Sequence, residues 1–210
     1  MSVALAKPVR SARKPKGEGH VRRGEILQAA EKIFVECGYD GATIRKIADE
    51  VGVSSTALYM HFRDKSQILL EICQDAFEQM LQGQRELRRA YPDPAIRIKA
   101  MLKAYMEFGL ANPNAYRLVF LTRPQEGSEN DLAVVQALGR QVFEGLQASV
   151  AEIAAQGRLK AEVSQATQVM WAGVHGIVAL IITKPYFAWA EAEALGKTMI
   201  DGLFEGLVSQ

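Results

Sequence analysis

Apolar residues recur at the three- and four-residue spacing of a helix face along most of the chain. The spacing predicts a first helix over 21–37, with Gly38 as a left-handed stop. It predicts later helices over 64–89, 94–111, 113–121, 131–156, 163–183 and 188–208. Proline or glycine interrupts the pattern between these segments, at Pro92 and Pro94, Asn112-Pro113, Arg123-Pro124, Gly157 and Lys184-Pro185. No segment alternates apolar and polar residues as a strand does, so the sequence predicts an all-α fold.

Two short helices joined by a glycine turn follow the first helix. Thr43 can cap a helix over 44–51, Gly52 can take the positive φ of a tight turn, and Ser54 can cap the next helix. Ala48 falls where these two helices cross, and a larger side chain there would push them apart. The spacing predicts a helix-turn-helix, the arrangement that places its second helix in the major groove of DNA.

The outward face of the third helix is the predicted DNA-reading surface, because early residues of such a helix meet base edges. Three small side chains there can approach base edges closely: Ser55, Thr56 and Ala57. Larger groups that can contact phosphates, or a guanine in the case of arginine, lie nearby on Arg45, Tyr59, His61 and Lys65. The alternative for each of these residues is an exposed polar side chain with no DNA contact.

The run TIRKIADEVGVSSTALYMHFRDKSQILLEI resembles the DNA-binding domain of TetR-type transcriptional regulators. The resemblance covers 23–72 and includes the Tyr59-x-His61-Phe62 run and the Asp64-Lys65 pair that opens a fourth helix. It implies an all-helical homodimer, in which an N-terminal three-helix unit binds DNA and a C-terminal helical domain both dimerises and binds a small effector. The usual DNA contacts of that family fall on the seven residues named above.

A second, shorter resemblance lies in the C-terminal part of the chain. Residues 171–176 read WAGVHG, about 110 residues after the helix-turn-helix, and the run NPNAYRLVF precedes them. Together these runs resemble the TetR subgroup whose ligand domain is named for its Trp…His-Gly run. The resemblance implies that the C-terminal helices form a ligand-binding domain.

Large aromatic and methionine side chains concentrate in these C-terminal helices. They suit a broad apolar cavity, because Met packs adaptably and Tyr and Trp keep polar ends. A well-packed core is the alternative for each residue, and a hydrogen-bonded core histidine is the alternative for His175. The candidate ligand-binding residues are Met101, Tyr105, Tyr116, Phe120, Phe143, Trp171 and His175. Bulk at Gly173 is expected to fill the space between them.

The stretch 166–182 is apolar nearly throughout, but it is shorter than a bilayer span and contains Gln168 and His175. We therefore interpret it as a helix buried on all sides in a soluble protein, with no membrane partner. One face is expected to meet its own domain and another to meet a second copy of the chain. Together with the last helix, it predicts a four-helix dimer interface.

Charge is distributed unevenly, although the net charge is only +1. Residues 1–66 carry 12 Lys and Arg against 8 Asp and Glu, whereas residues 67–210 carry 13 against 16. A basic N-terminal part suits a polyanion such as double-stranded DNA. Residues 1–20 are basic without apolar periodicity, which predicts a disordered arm. We divide the rest into a helix-turn-helix DNA-binding domain of 21–66 and a helical effector-binding and dimerisation domain of 67–210.

Cysteine usage and the first residues favour a cytoplasmic protein. The two cysteines, Cys37 and Cys73, have no CxxC spacing, and the first residues do not follow the pattern of an export signal. Motifs for catalysis fail as well. The run Gly196-Lys197-Thr198 has Glu191 where a phosphate-binding loop needs glycine. Neither an enzyme activity nor a cofactor or metal is expected.

These features favour a ligand-responsive transcriptional repressor. We expect it to bind a palindromic operator as a homodimer and to be released by a small hydrophobic or aromatic effector, with efflux genes as candidate targets. The alternative is a dimeric DNA-binding activator or architectural protein whose C-terminal domain binds no effector. Loss of operator binding on addition of a ligand would separate the two.

Overall fold

The computed structural model describes residues 19–121 and 129–209, and α-helices form most of that part. The helices are α1 (Gly19–Gly41), α2 (Ile44–Val51), α3 (Ser55–Tyr59), α4 (Lys65–Ala90), α5 (Pro94–Ala111), α6 (Pro113–Tyr116), α7 (Glu129–Ala155), α8 (Val163–Thr183) and α9 (Ala192–Leu207). A π-helical turn, Arg117–Leu121, continues α6. The all-α prediction is confirmed. The predicted arm, apart from its last two residues, and the predicted break at Arg123-Pro124 lie outside the described residues.

Local hydrogen bonds explain where the short N-terminal helices begin and end. The hydroxyls of Thr43 and Ser54 each accept a hydrogen bond from the amide three residues on, at 3.2 and 3.1 Å, as expected of capping residues. Gly52 ends α2 with φ 77° and ψ 31°, the predicted left-handed turn. Gly38 breaks α1 with φ 69° but ψ 166°, so its φ is positive without the left-handed helical conformation expected there.

Buried side chains form two main clusters. The first joins α1, α2 and α3 to the first turns of α4, and it includes Ile26, Phe34, Ala48, Leu58, Phe62 and Ile68. The second joins α5, α7, α8 and α9, and it includes Ile98, Leu102, Ile153, Met170, Val174 and Ile200. Helix α4 runs without a break past the boundary at residue 66 that the sequence suggested. The division into domains therefore stays a prediction, and α4 mechanically links the two parts.

Within a single chain, helix α8 is buried along one stripe. The expected burial of its other face by a second copy of the chain stays a prediction. Its buried apolar residues fall four apart, at Ala166, Met170, Val174, Val178 and Ile182. Val169 and Leu180 on the other side are 41% and 47% exposed. Within the described ranges, α8 is the one helix long and apolar enough to cross a membrane by length and composition, and 33% of its most apolar window is buried. A single chain thus leaves an apolar face of α8 uncovered.

The last helix begins later than the apolar spacing suggested. Helix α9 starts at Ala192, not at residue 188, because the residues before it form a compact turn. In that turn the Trp189 indole N–H donates to the Lys184 carbonyl at 3.0 Å. At its other end the chain returns to the α7–α8 connection, where Leu159 and Val208 form an isolated antiparallel bridge.

A network around a buried arginine ties α5 to α7. Arg97 is only 3% exposed. Its guanidinium donates to two main-chain carbonyls of the α4–α5 turn at 3.0 and 3.1 Å, to the Ser149 hydroxyl at 3.1 Å, and to the Glu152 carboxylate. Arg88 of α4 reaches the same carboxylate at 3.0 Å from an exposed position. The network fixes the start of α5 against α7.

Candidate DNA-reading surface and effector cavity

Helix α3 presents a small, exposed surface. Thr56 and Ala57 are exposed and Ser55 is half-buried, whereas Leu58 points into the core and is fully buried. Tyr59, at the end of the helix, is 56% exposed. Because small side chains let a helix approach base edges closely, this surface suits the major groove. The DNA contacts of these residues stay predictions.

The other residues predicted to contact DNA differ in their exposure and in the partners that already hold their side chains. Arg45 lies at the start of α2 with a strongly exposed side chain, 3.9 Å from Asp49, and such an exposed pair is weak. His61 is half-buried. Lys65 is held: its ammonium donates to the Tyr39 carbonyl at 3.0 Å and lies 4.2 Å from the centre of the Tyr39 ring. Lys65 therefore joins α4 to the end of α1, besides any phosphate contact.

Arg23 fixes the position of α3, although its place in the sequence does not single it out. Its guanidinium lies 4.1 Å from the centre of the Phe62 ring, donates to the His61 carbonyl at 2.6 Å and pairs with the Glu71 carboxylate. The hydrogen bond with Glu71 raises the pKa of Arg23. One residue of α1 thus holds both the α3–α4 turn and α4. Nothing in the local spacing singles it out, because its partners are 38 and 48 residues away.

An apolar cavity of about 230 Å³ lies between α4, α5, α7, α8 and the π-helical turn. Five of the seven predicted ligand-binding residues line it: Met101, Tyr105, Phe120, Phe143 and Trp171. The sequence did not single out the others, which are Phe77, Gln84, Leu102, Gly139, Val142, Leu146 and Val174. Except for the polar Gln84, which belongs to no motif, they have the character of ordinary core residues. No local pattern tells a cavity wall from a filled core.

Tyr116 and His175, also predicted as wall residues, lie behind the wall. The Tyr116 hydroxyl lies 2.7 Å from His175 Nδ1, and the Tyr105 hydroxyl lies 3.1 Å from both groups. Burial lowers the pKa of His175, so its ring is neutral at pH 7. With the ring proton on Nε2, Nδ1 accepts a hydrogen bond from a tyrosine hydroxyl. Burial raises the pKa of Tyr105 to about 12 and that of Tyr116 further still. The polar groups of Tyr105, Tyr116 and His175 therefore form hydrogen bonds with one another, and Tyr116 and His175 support the cavity wall from behind.

Gly173 does not face the cavity, so the expectation that bulk there would fill it is wrong. A Cβ atom at Gly173 would lie 2.8 Å from Met199 Sδ and 3.1 Å from Leu203 Cδ1, both on α9. The glycine permits close packing of α8 against α9. The next residue, Val174, is the one that lines the cavity. On a helix, successive residues point about 100° apart, which separates these two environments.

The segment Pro113–Leu121 touches both buried clusters. Ala115 and Leu118 belong to the cluster of α1–α4, whereas Tyr116 belongs to the second cluster and Phe120 lines the cavity. Arg117 donates to the Ile182 carbonyl at the end of α8, at 2.6 Å. A π-helical turn often marks a functional position in a helix. The segment therefore contacts both the cavity wall and the core of the DNA-reading helices.

The chain belongs to the TetR family of transcriptional regulators. Residues 26–72 match the family described as bacterial regulatory proteins, tetR family, and residues 98–203 match the tetracyclin repressor-like C-terminal domain. The second match includes the WAGVHG run of residues 171–176. Regulators of this family bind DNA operators, act as dimers and bind small ligands.

Two relatives share part of the sequence. The HTH-type transcriptional activator FasR of Mycolicibacterium smegmatis is 33% identical over 167 residues, which cover 75% of this chain and 74% of FasR. The HTH-type transcriptional repressor KstR2 of Mycobacterium tuberculosis is 31% identical over 91 residues, covering 43% of this chain and 46% of KstR2.

Solved structures share the fold at lower identity. The ketosteroid transcriptional regulator KstR2 of Mycobacterium tuberculosis has a TM-score of 0.77 at 18% identity, covering 99% of this chain and 100% of that one. The fatty acid degradation regulator FadR from Bacillus halodurans has a TM-score of 0.75 at 19% identity, covering 92% and 98%. At these identities the likeness establishes the fold alone.

Proposed function

We propose that this chain is a cytoplasmic, ligand-responsive transcriptional repressor that binds a palindromic operator as a homodimer and is released by a small apolar effector. In this proposal Ser55, Thr56 and Ala57 face the bases. The phosphate contacts come from Arg45, Tyr59, His61 and Lys65. The observation that carries the proposal is the segment Pro113–Leu121, which packs against the DNA-reading core on one side and the cavity on the other.

Dimerisation is proposed through α8 and α9. The exposed apolar side chains of α8, Val169 and Leu180 among them, would be covered by the same helices of a second chain. Two DNA-reading units would then face successive major grooves, about 34–36 Å apart. The absence of a side chain at Gly173 lets α8 and α9 pack closely, so the two helices can act as one rigid half of the interface.

Release follows from the coupling between the cavity and α3. An effector that enters the cavity presses on Phe120 and Tyr105, and through Phe120 it moves the π-helical turn. Ala115 and Leu118 in the same segment pack in the core around α1 and α4 and shift the DNA-reading unit. A change in the separation of the two units weakens operator binding, with a coupling of typically 1–3 kcal/mol.

The cavity favours an effector with a mainly apolar body. Its lining offers few polar groups, and the hydroxyl of Tyr105 is already bonded to Tyr116 and His175. KstR2 is named a ketosteroid regulator and FadR a fatty acid degradation regulator. These names support an apolar metabolite as effector, and we propose genes of lipid metabolism as targets in place of the efflux genes first expected.

Activation is a second candidate output, because FasR is named an activator. The same ligand-dependent release relieves repression when the operator overlaps the promoter, and it ends activation when the operator lies upstream. Transcription in vitro from a template carrying the operator distinguishes the two. Repression requires that the added protein lower transcript yield, and activation requires that it raise it.

Footprinting on the DNA upstream of this gene and its neighbours tests the function as a whole. A dimer of the proposed geometry protects two half-sites on one face of the duplex, and their centres lie one helical turn, or a multiple of it, apart. Protection of a single half-site, or unbroken protection of every duplex, would contradict an operator-reading dimer.

Tyr59→Ala is expected to weaken binding to the operator and to a scrambled duplex by the same factor. A phosphate contact carries no sequence information, so its loss does not change specificity. Thr56→Ala is the matched control from the same helix, because loss of a base-edge contact reduces operator affinity more than scrambled-duplex affinity. Both affinities are measured by fluorescence anisotropy. Unchanged affinities for Tyr59→Ala would place this residue away from the DNA.

A further inference from the structure

A polar cleft lies beside the apolar cavity, and neither the DNA-reading surface nor the dimer face uses it. The cleft, between α4 and α7, has a volume of about 250 Å³. It shares Met101 and Gln84 with the apolar cavity. The two spaces are thus neighbours, separated by these two flexible side chains.

Gln84 stands at the junction of the two spaces. Its Nε2 donates to the Val142 carbonyl at 2.9 Å, and its carboxamide lies against Gly145, where a Cβ atom would collide with it. The absence of a side chain at residue 145 is what lets Gln84 occupy the junction. Because one hydrogen bond holds this long side chain, it can swing aside and let a ligand span both spaces.

The cleft carries two arginines, and one of them is unused. Arg85 is exposed and makes no hydrogen bond or ion pair with any residue of the described ranges. Arg88, one turn further along α4, is bonded to Glu152 at 3.0 Å. Glu144 is the acidic residue that lines the cleft with them. An unpaired guanidinium at the mouth of an apolar cavity is a ready partner for a carboxylate or phosphate.

The surroundings restrict where an anion can sit. A second groove on the far side of Arg85 is lined by Asp75, Glu78 and Glu86, and it would repel an anion. The favourable side of Arg85 therefore faces Arg88 and the cavity. A ligand with its anionic end there has its apolar end directed past Gln84 into the cavity.

We infer that the effector is an amphipathic anion, with an apolar chain or ring in the cavity and an anionic head group bound by Arg85. This inference rests on the proposed function, since it concerns the same cavity. An apolar cavity of about 150 Å³ holds benzene, which has six carbon atoms. In proportion to volume, the cavity of about 230 Å³ holds an apolar group of about nine carbon atoms. The head group is either the carboxylate of a free acid or the phosphates of a nucleotide thioester.

Binding of three eight-carbon probes tests the inference: octanoate, 1-octanol and octanoyl-coenzyme A. The full chain carries Trp189→Phe, so that the remaining tryptophan, Trp171 in the cavity wall, reports occupancy by its fluorescence. We expect octanoate or octanoyl-coenzyme A to bind at least about tenfold more tightly than octanol. The tighter of the two anions identifies the source of the head group.

Variants of the cleft then assign the head group to its partner. Arg85→Gln should remove the preference for the anion, whereas Glu144→Gln should strengthen anion binding about threefold. Arg89→Gln removes the same charge from α4 outside the cleft, and it should change neither the preference for the anion nor the strength of anion binding. Raising the salt concentration should weaken binding of the anion and not of octanol.

The outcomes separate this inference from the proposed function. Equal binding of octanol and both anions, or an anion preference that survives Arg85→Gln, overturns the head-group site and leaves an apolar effector cavity intact. Failure of all three probes to change Trp171 fluorescence contradicts both the head-group site and the cavity as an effector site.

Discussion

Arg97→Ala lowers the free energy of unfolding by about 3 kcal/mol, which corresponds to a fall in Tm of roughly 6–12 °C for a chain of this size. Arg97 is buried, and alanine removes the donor that two main-chain carbonyls, the buried Ser149 hydroxyl and the Glu152 carboxylate share, although Glu152 keeps Arg88. A buried acceptor that loses its partner keeps its desolvation cost.

Arg88→Ala is the matched control, because Arg88 binds the same Glu152 carboxylate from an exposed position. An exposed pair contributes little, so we expect a loss of less than about 1 kcal/mol. Urea unfolding followed by circular dichroism measures both variants. Equal losses in the two variants would show that burial of Arg97 does not decide the strength of this network.

Val142→Phe should abolish most of the effector response. Val142 lines the cavity from α7, and the larger ring occupies space that a ligand needs. Overpacking costs about 1–3 kcal/mol, so we expect ligand affinity to fall by roughly 5- to 150-fold. The operator affinity of the ligand-free protein should stay unchanged, since residue 142 belongs to α7 and not to the segment Pro113–Leu121 that contacts the DNA-reading core.

Val134→Phe provides the control on the same helix, because Val134 is 41% exposed and does not line the cavity. Operator release is measured for both variants against ligand concentration. Wild-type release by Val142→Phe, in a protein that folds and dimerises normally, would place the effector elsewhere. Gly173→Phe is unsuitable for this purpose, because the ring would collide with Met199 and Leu203.

Local signals predicted most of the helix boundaries. Thr43, Ser54 and Gly52 act within three or four residues of themselves, so the chain alone specifies the caps and the turn of the helix-turn-helix. Helix α5 begins at a proline, where a missing N–H costs nothing, and α8 matches its predicted limits. The start of α9 was predicted four residues too early, because the hydrogen bond from Trp189 to the Lys184 carbonyl stabilises a turn before the helix.

Neighbours that are distant in sequence could not be predicted in the same way. A helical stripe shows which residues are buried but not what covers them, so Gly173 was assigned to the cavity although it packs on α9. Arginine is usually exposed, so Arg97 gave no sign of its burial among partners on α7. Five of the seven candidate cavity residues were found because aromatic and methionine side chains suit such walls.

Reciprocal binding of operator and effector tests the coupling between cavity and DNA-reading surface most directly. The operator affinity of the full chain is measured with and without the probe that changes Trp171 fluorescence, and the affinity for that probe is measured with and without operator. Coupling through the segment Pro113–Leu121 predicts that each ligand weakens the other by the same factor, about 5- to 150-fold. An operator affinity that stays constant while Trp171 fluorescence reports a filled cavity would contradict the coupling between the cavity and the DNA-reading surface.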